Sequence, residues 1–215
     1  MLLAIDTATH QASIALHDGV TLHGECTWTA RNRHTVTLVP HIHTLLAETE
    51  RTAEALTALA VCIGPGSYTG VRIGIAVAQG LALARHLPLY GAHTLDILVA
   101  AQPADPRPLY AIFSAGRRRI GYARYGWQED RWVAETKVTL AEWDELRAAL
   151  TEPALVVGEL GRQGRAALAA LGEQLEVPPA ARHLRRAGFL AELAWSRLRA
   201  GEPGDPALIR PLYAQ

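Results

Sequence analysis

Lysine is almost missing from this 215-residue chain: Lys137 is the only one, and the other 20 basic residues are arginine. The skew reads first as genome bias, and as function only where arginines cluster. Net charge is missing too, because 21 Lys+Arg balance 21 Asp+Glu. That excludes a generic groove for nucleic-acid phosphates, which needs clustered positive charge. Cysteine is limited to Cys26 and Cys62. Two cysteines cannot staple a secreted mini-protein, and without an export signal they read as free thiols in a reducing cytoplasm. The start, Met1-Leu2-Leu3-Ala4-Ile5-Asp6, has no basic stretch and meets an acid at once, so no signal peptide is expected. The longest uncharged helical run, the 12 residues between Arg72 and Arg85, is too short to cross a bilayer. A composition of 49% apolar and 20% charged residues excludes a disordered chain and a coiled-coil rod. The expectation is a soluble cytoplasmic protein with no membrane contact.

What is present falls into two halves. Apolar runs at 2–6 and 12–17, an Asp18-Gly19 turn, and period-two apolar spacing through Leu22, Cys26 and Trp28 predict a three-stranded meander. Leu38, Ile42, Leu45 and Leu46 then predict a helix, with Pro40 in its early turns. A strand over 56–63, a loop over 64–70, a helix over 71–85, a strand over 87–91 and a helix over 94–101 follow. Three prolines in residues 102–108 mark a linker. Beyond it come strands at 109–113, 120–125 and 131–138, a helix to 150 capped by Thr139 with Glu142, a strand at 155–157 and a helix over 162–171. Each half reads strand-strand-strand-helix-strand-helix. The expected architecture is a duplicated α/β fold, with subdomains 1–102 and 103–215 and a cleft between them. The last helix, 187–200, has no counterpart in that order and is free to pack on either half. Charge splits only as −2 against +2 between the halves, too little to steer a partner.

The densest motif is Gly64-Pro65-Gly66-Ser67-Tyr68-Thr69-Gly70-Val71-Arg72. A glycine turn between strand and helix N-terminus suits an anion, although the Gly-Lys-Ser/Thr ending of a P-loop is missing. A tight connection that merely admits close packing explains the glycines equally. Asp6-Thr7-Ala8-Thr9, at the end of the first strand, could orient a metal or phosphate, or form an Asx-turn. Gly70, Gly74 and Ala78 step by four along a helix that is apolar nearly all round, so it is buried on more than one side, by its own layers or by a partner. His41 and His43 face different sides of a helix, and His34 and His41 share a face without an acid or cysteine beside them, a poor zinc set. Arg117-Arg118-Arg119 reads as a solvated hairpin turn.

Ala4-Ile5-Asp6-Thr7-Ala8-Thr9, the glycine motif through Ile73-Gly74, the run from Ala76 to Ala82, and Arg33-His34-Thr35 together resemble the TsaB (YeaZ) family. The resemblance is dense over residues 1–100 and thin beyond. It implies an actin/sugar-kinase/Hsp70-like (ASKHA, RNase H-like) fold with two similar subdomains. It also implies a role in making N6-threonylcarbamoyladenosine in tRNAs that read ANN codons. In that family the catalytic paralogue TsaD transfers the threonylcarbamoyl group, TsaB is its non-catalytic partner, and TsaE is an ATPase that joins them.

Carried onto this chain, the resemblance implies partner-binding helices at 35–48 and 71–85, with Leu38, Ile42, Leu45, Gly70, Gly74 and Ala78 on the contacting faces. Gly64, Gly66, Ser67, Thr69, Gly70 and Arg72 are the glycine-loop family motif, and Asp6, Thr7 and Thr9 a vestigial phosphate loop. No catalytic residue, metal or tightly held cofactor is expected, with ATP or ADP confined to the interface of a complex. A heterodimer with a TsaD-like transferase is expected, with tRNA reached indirectly and self-association of the free chain left open. The metal pair of TsaD, His-x-Glu-x-His, corresponds to Thr94-Leu95-Asp96-Ile97-Leu98, which lacks both rings. The family's Asp-Ala-Arg is Ser114-Ala115-Gly116 here, and the tail Pro211-Leu212-Tyr213-Ala214-Gln215 keeps only part of the family ending. The competing reading is a nucleotide-dependent phosphotransferase using Asp6, Thr7, Thr9 and the glycine loop; a zinc peptidase ranks below it.

Overall fold

The computed structural model describes residues 1–31, 33–116 and 119–214. Arg117 and Arg118 of the arginine run, and Gln215 of the tail, lie outside the described residues. The chain divides into one compact unit of Met1–Ile97 with Arg185–Tyr213, and another of Leu98–Leu184 with Ala214–Gln215. The sequence division at 102/103 leaves the last helix free to pack on either half; in the structure residues 185–213 belong with the first.

In the first unit, β1 (Leu2–Asp6), β2 (Gln11–His17) and β3 (Leu22–Thr29) form the antiparallel meander. α1 (His34–Glu48) leads to β4 (Ala58–Gly64), α2 (Tyr68–Arg85), β5 (Leu89–His93) and α3 (Thr94–Ala100). β4 pairs parallel with β1 and β5 with β4, so the sheet order is β3-β2-β1-β4-β5. Side chains alternate across a sheet, and the register assigns the two faces. Ile5, Ile14 and Cys26 are aligned, as are Leu3, Leu16 and Gly24, and a Cβ on Gly24 would meet Leu45 of α1. Asp6 and Ser13 lie on the other face. β1 is wholly buried because helices cover both faces.

The second unit repeats this plan. β6 (Leu109–Gly116), β7 (Arg119–Gln128) and β8 (Arg131–Ala134) form a second antiparallel meander. β9 (Thr139–Ala141) precedes α4 (Trp143–Ala149), and β10 (Ala154–Gly158), α5 (Gly161–Leu168) and β11 (Leu175–Glu176) follow. The order β8-β7-β6-β10-β11, with β10 parallel to β6 and β11 parallel to β10, matches the first sheet strand for strand. Both central parallel strands end in a left-handed glycine, Gly64 at φ 99° and Gly158 at φ 117°, a conformation that only glycine adopts cheaply. This is the duplicated ASKHA-like α/β fold. Tyr110, Ile112, Trp143, Leu146, Val156 and Leu160 are in the second core.

Two local expectations change. Thr139 does not cap a helix; it pairs with Tyr122 as part of β9, and Glu142 is the N-cap in a reciprocal box with Glu145. A β-branched residue beside an unpaired stretch of β7 gains more from the ladder than from the cap. The strand expected over 131–138 stops at Ala134.

The last helix, α6 (Ala187–Arg199), packs on the first sheet. Ser13 Oγ accepts from the Ala187 amide at 2.9 Å and Glu25 Oε1 from the Gly188 amide at 2.7 Å, so the sheet supplies the helix's N-terminal acceptors. α6 therefore covers the face opposite α1. Arg197 of α6 donates to the Gly91 carbonyl of β5, and after the helix the chain meets β5 where Leu89 donates to the Gly204 carbonyl and β4 where Leu212 donates to that of Ile63. Among the described residues no helix is long and apolar enough to cross a membrane.

Candidate functional site

The β1–β2 connection and the glycine motif meet in the first unit. Asp6 ends β1 at 1% exposure and points under α6. Its Oδ1 accepts from the Ala8 amide at 2.8 Å, an Asx-turn. Its Oδ2 accepts from Arg185 Nε at 2.9 Å, and the same guanidinium donates to Thr9 Oγ1 at 2.6 Å. Arg185 is itself 2% exposed. Its guanidinium therefore takes the place that a metal or a phosphate-bound cation would need at this carboxylate.

Thr7 faces the opposite way, as its neighbour in an extended strand must. Its hydroxyl donates to the Gly70 carbonyl at 2.8 Å. The Ser67 amide donates to the Ala8 carbonyl, and Ser67 Oγ caps α2 by accepting from the Gly70 amide at 3.2 Å. A Cβ at Gly66 or Gly70 would overlap the backbone oxygens of Ala8 or Thr7, and one at Gly74 would overlap the Thr7 hydroxyl. The glycines thus let α2 lie directly on the Thr7–Ala8 backbone. The amides of Ser67, Gly70 and Val71 are already engaged, so these three donors are withdrawn from an anion at the helix N-terminus. Below the loop, Thr94 Oγ1 donates to the Pro65 carbonyl at 2.6 Å, and the Cys62 thiol lies 3.3 Å from that hydroxyl. Burial, foremost, raises the Cys62 thiol far above its ordinary value.

The position that corresponds to the first TsaD ring is thus an internal hydroxyl, and Leu98 at the second is buried. Among the described residues no three His, Cys, Asp or Glu side chains gather in a way that could hold a metal ion. In the second unit the Ser114 amide donates to Glu159 Oε2 at 2.9 Å.

The six residues expected on the partner-contacting faces are buried within the first unit. Leu38, Ile42 and Leu45 are buried in the first unit's core, and so are Gly70, Gly74 and Ala78. Periodicity marks an apolar face correctly but does not say whether a sheet or a second protein covers it. The opposite faces of the two helices are open: Val36 is 59% exposed, Val39 55% and Leu83 67%, with Ala76 and Gly80 beside Leu83 also exposed. Arg72 and Thr69 of the glycine motif are exposed as well. Arg72 lies 4.4 Å over the Tyr68 ring, and Tyr213 of the tail stacks on the same ring.

Arg185 is the site residue that sequence reasoning misses, since one arginine of the Arg185-Arg186 pair before a helix carries no periodic signal. His34, visible in the sequence as a weak zinc candidate and in Arg33-His34-Thr35, lies beside Thr9. The first residue of α1, it is 3% exposed, and burial lowers its imidazole against the opposing pull of a bond to the Thr9 backbone and of the Asp6 charge.

Comparison with known proteins yields one family match and several relatives. The family described as TsaD, tRNA N6-adenosine threonylcarbamoyltransferase, matches residues 27–185. The tRNA threonylcarbamoyladenosine biosynthesis protein TsaB of Bacillus subtilis is 31% identical over 160 residues, covering 73% of this chain and 70% of that protein. The Escherichia coli protein of the same name is 44% identical over 94 residues, 44% of this chain and 40% of its own length. Among solved structures, YeaZ from Pseudomonas aeruginosa superposes with a TM-score of 0.78 at 25% identity, covering 99% of both chains.

Proposed function

The chain belongs to the TsaB (YeaZ) family, and from that premise we propose that it serves N6-threonylcarbamoyladenosine formation in tRNA as a non-catalytic subunit that docks on a TsaD-like transferase. The observation that carries this reading is the engagement of Asp6. Phosphoryl transfer in this fold needs a carboxylate free to organise a cation against phosphate, and here both Asp6 oxygens are already bonded within the protein. The amides of Ser67, Gly70 and Val71 in the glycine motif are likewise engaged within the protein.

The open face of α1 and α2 supports docking. Exposed aliphatic side chains on two neighbouring helices favour a protein partner over solvent. The transferase supplies the chemistry and reaches tRNA, a TsaE-like ATPase joins the pair, and ATP or ADP binds only where subunits meet. The same face allows a homodimer when the transferase is absent.

Native mass spectrometry of the chain mixed with its TsaD-like partner tests the reading, together with calorimetry of the isolated chain against ATP and Mg²⁺. A one-to-one complex at micromolar concentration and no heat from the nucleotide are expected. Turnover of ATP by the isolated chain would instead favour a phosphotransferase.

A further inference from the structure

The two edges of the first sheet are finished differently. On β5 the Leu89 amide and the Gly91 carbonyl are taken up by Gly204 and Arg197. β3, the other edge, pairs among the described residues with β2 alone. Ala30 donates to the His10 carbonyl, so in this register the even-numbered residues of β3 exchange hydrogen bonds with β2. The amides and carbonyls of Glu25 and Thr27 consequently point outward, where among the described residues no strand meets them. Such an edge is a template for another extended chain.

Beside this edge, between β3 and α1, lies a pocket of ≈ 370 Å³ lined by Cys26, Pro40, His41, Thr44, Leu45 and Glu48, with Glu25 at its border. Its polar groups are mostly acceptors. The His41 ring stacks on Trp28 at 4.0 Å and 2°. His41 Nδ1 donates to the Thr37 carbonyl at 2.7 Å, which leaves Nε2 with a free lone pair. Glu48 is exposed and in no ion pair among those of the described residues. Of its two acids, Glu25 is already paired with Arg186 and with the Gly188 amide, which leaves the Glu48 carboxylate as the charge open to a partner; burial, foremost, and then the charges of Glu48 and Glu25 raise the Cys26 thiol.

We propose that the outer edge of β3 and this pocket form a docking site for an extended segment of a partner polypeptide carrying an arginine or lysine. The backbone of the segment pairs with Glu25 and Thr27 as a sixth strand. Its residue opposite Cys26 lies on the α1 face of the sheet, with Cβ atoms about 4.5–5.5 Å apart across the pair. From there an aliphatic stem runs along Pro40 and Leu45, and the cationic head reaches Glu48 and His41 Nε2. Ladder bonds give affinity and the pocket gives selectivity, the usual division in strand addition. This site is separate from the face of α1 and α2 assigned to the transferase, so each can fail without the other.

The test uses the full chain and two labelled pentapeptides, acetyl-Val-Thr-Arg-Thr-Val-amide and the same peptide with norleucine for arginine. Fluorescence anisotropy is expected to show saturable binding of the arginine peptide, with the norleucine peptide about three- to fivefold weaker, the range for a partly exposed ion pair. Glu48→Gln, at an exposed position, should erase that difference. Hydrogen exchange should slow at the amides of Glu25 and Thr27. No binding at millimolar peptide, equal affinity for both peptides, or protection confined to other strands would each overturn the proposal.

Discussion

Arg185 and Asp6, 179 residues apart in the chain, form an ion pair at 2.9 Å with side chains 2% and 1% exposed. The pair ties the end of β1 to the segment that enters α6, and so holds the two stretches of the first unit together. Thr9 accepts from the same guanidinium. The hairpin that would grip phosphate in a working kinase fold is held by an internal cation.

Removing one partner strands the other charge in the core. Arg185→Met is therefore expected to destabilise the protein by about 3–5 kcal/mol, while the double variant Asp6→Asn/Arg185→Met loses much less than the two single changes together. Urea unfolding of the four proteins in this cycle measures it. Additive losses would mean the pair is not coupled.

Two glycines, Gly66 in the loop before α2 and Gly80 within α2, make opposite predictions. Gly66→Ala pushes a methyl into the Ala8 carbonyl, a contact with backbone that cannot swing aside. A loss of about 1–3 kcal/mol follows. A Cβ at Gly80 meets nothing within 4 Å, and Gly80→Ala gains up to about 1 kcal/mol from helix propensity. Thermal unfolding of both variants separates a packing role from a ligand role, since a ligand loop would tolerate Gly66→Ala when empty.

Much of the fold was legible in the sequence because its cause is local. The meander, α1, α2 and the repeated order follow from period-two and period-3.6 apolar spacing and from turn residues. Asp6, Thr7 and the glycine loop were visible as a pair of conspicuous turns, although not that they touch. Arg185 was not legible, since its partner is fixed only by tertiary packing of α6. The direction of the helix faces was not legible either. Leu38 and Val39 are adjacent apolar residues of α1, and only the sheet decides that the first is buried and the second exposed.

That distinction separates folding from docking. Val39→Asp and Leu83→Asp change exposed side chains and should leave the isolated chain's unfolding midpoint within about 0.5 kcal/mol of native. If the face binds the transferase, each should weaken the complex by at least about tenfold, as expected for a central apolar contact. Leu38→Asp should fail to fold. Pull-down with the TsaD-like partner reads the first two; unchanged binding in both would move the interface off these helices.

Acid should loosen the protein through two buried histidines, one in each unit. His183 Nδ1 accepts from the Gly158 amide at 3.0 Å and Nε2 donates to the Pro178 carbonyl, so both nitrogens are used by the neutral ring. Burial lowers the His183 and His34 imidazoles below their ordinary value of 6.5. The sign follows from linkage. Above about pH 6.5 both rings are neutral in either state and cost nothing. As pH falls below that value the unfolded chain takes up protons that the folded chain refuses, so stability declines until the depressed folded values are reached. Urea midpoints measured from pH 7.5 to pH 5 should therefore fall as the pH is lowered. In His183→Gln, the amide can still accept from Gly158 while losing the titration, and the slope should become shallower. An unchanged slope in that variant would show that His183 protonates freely in the folded state.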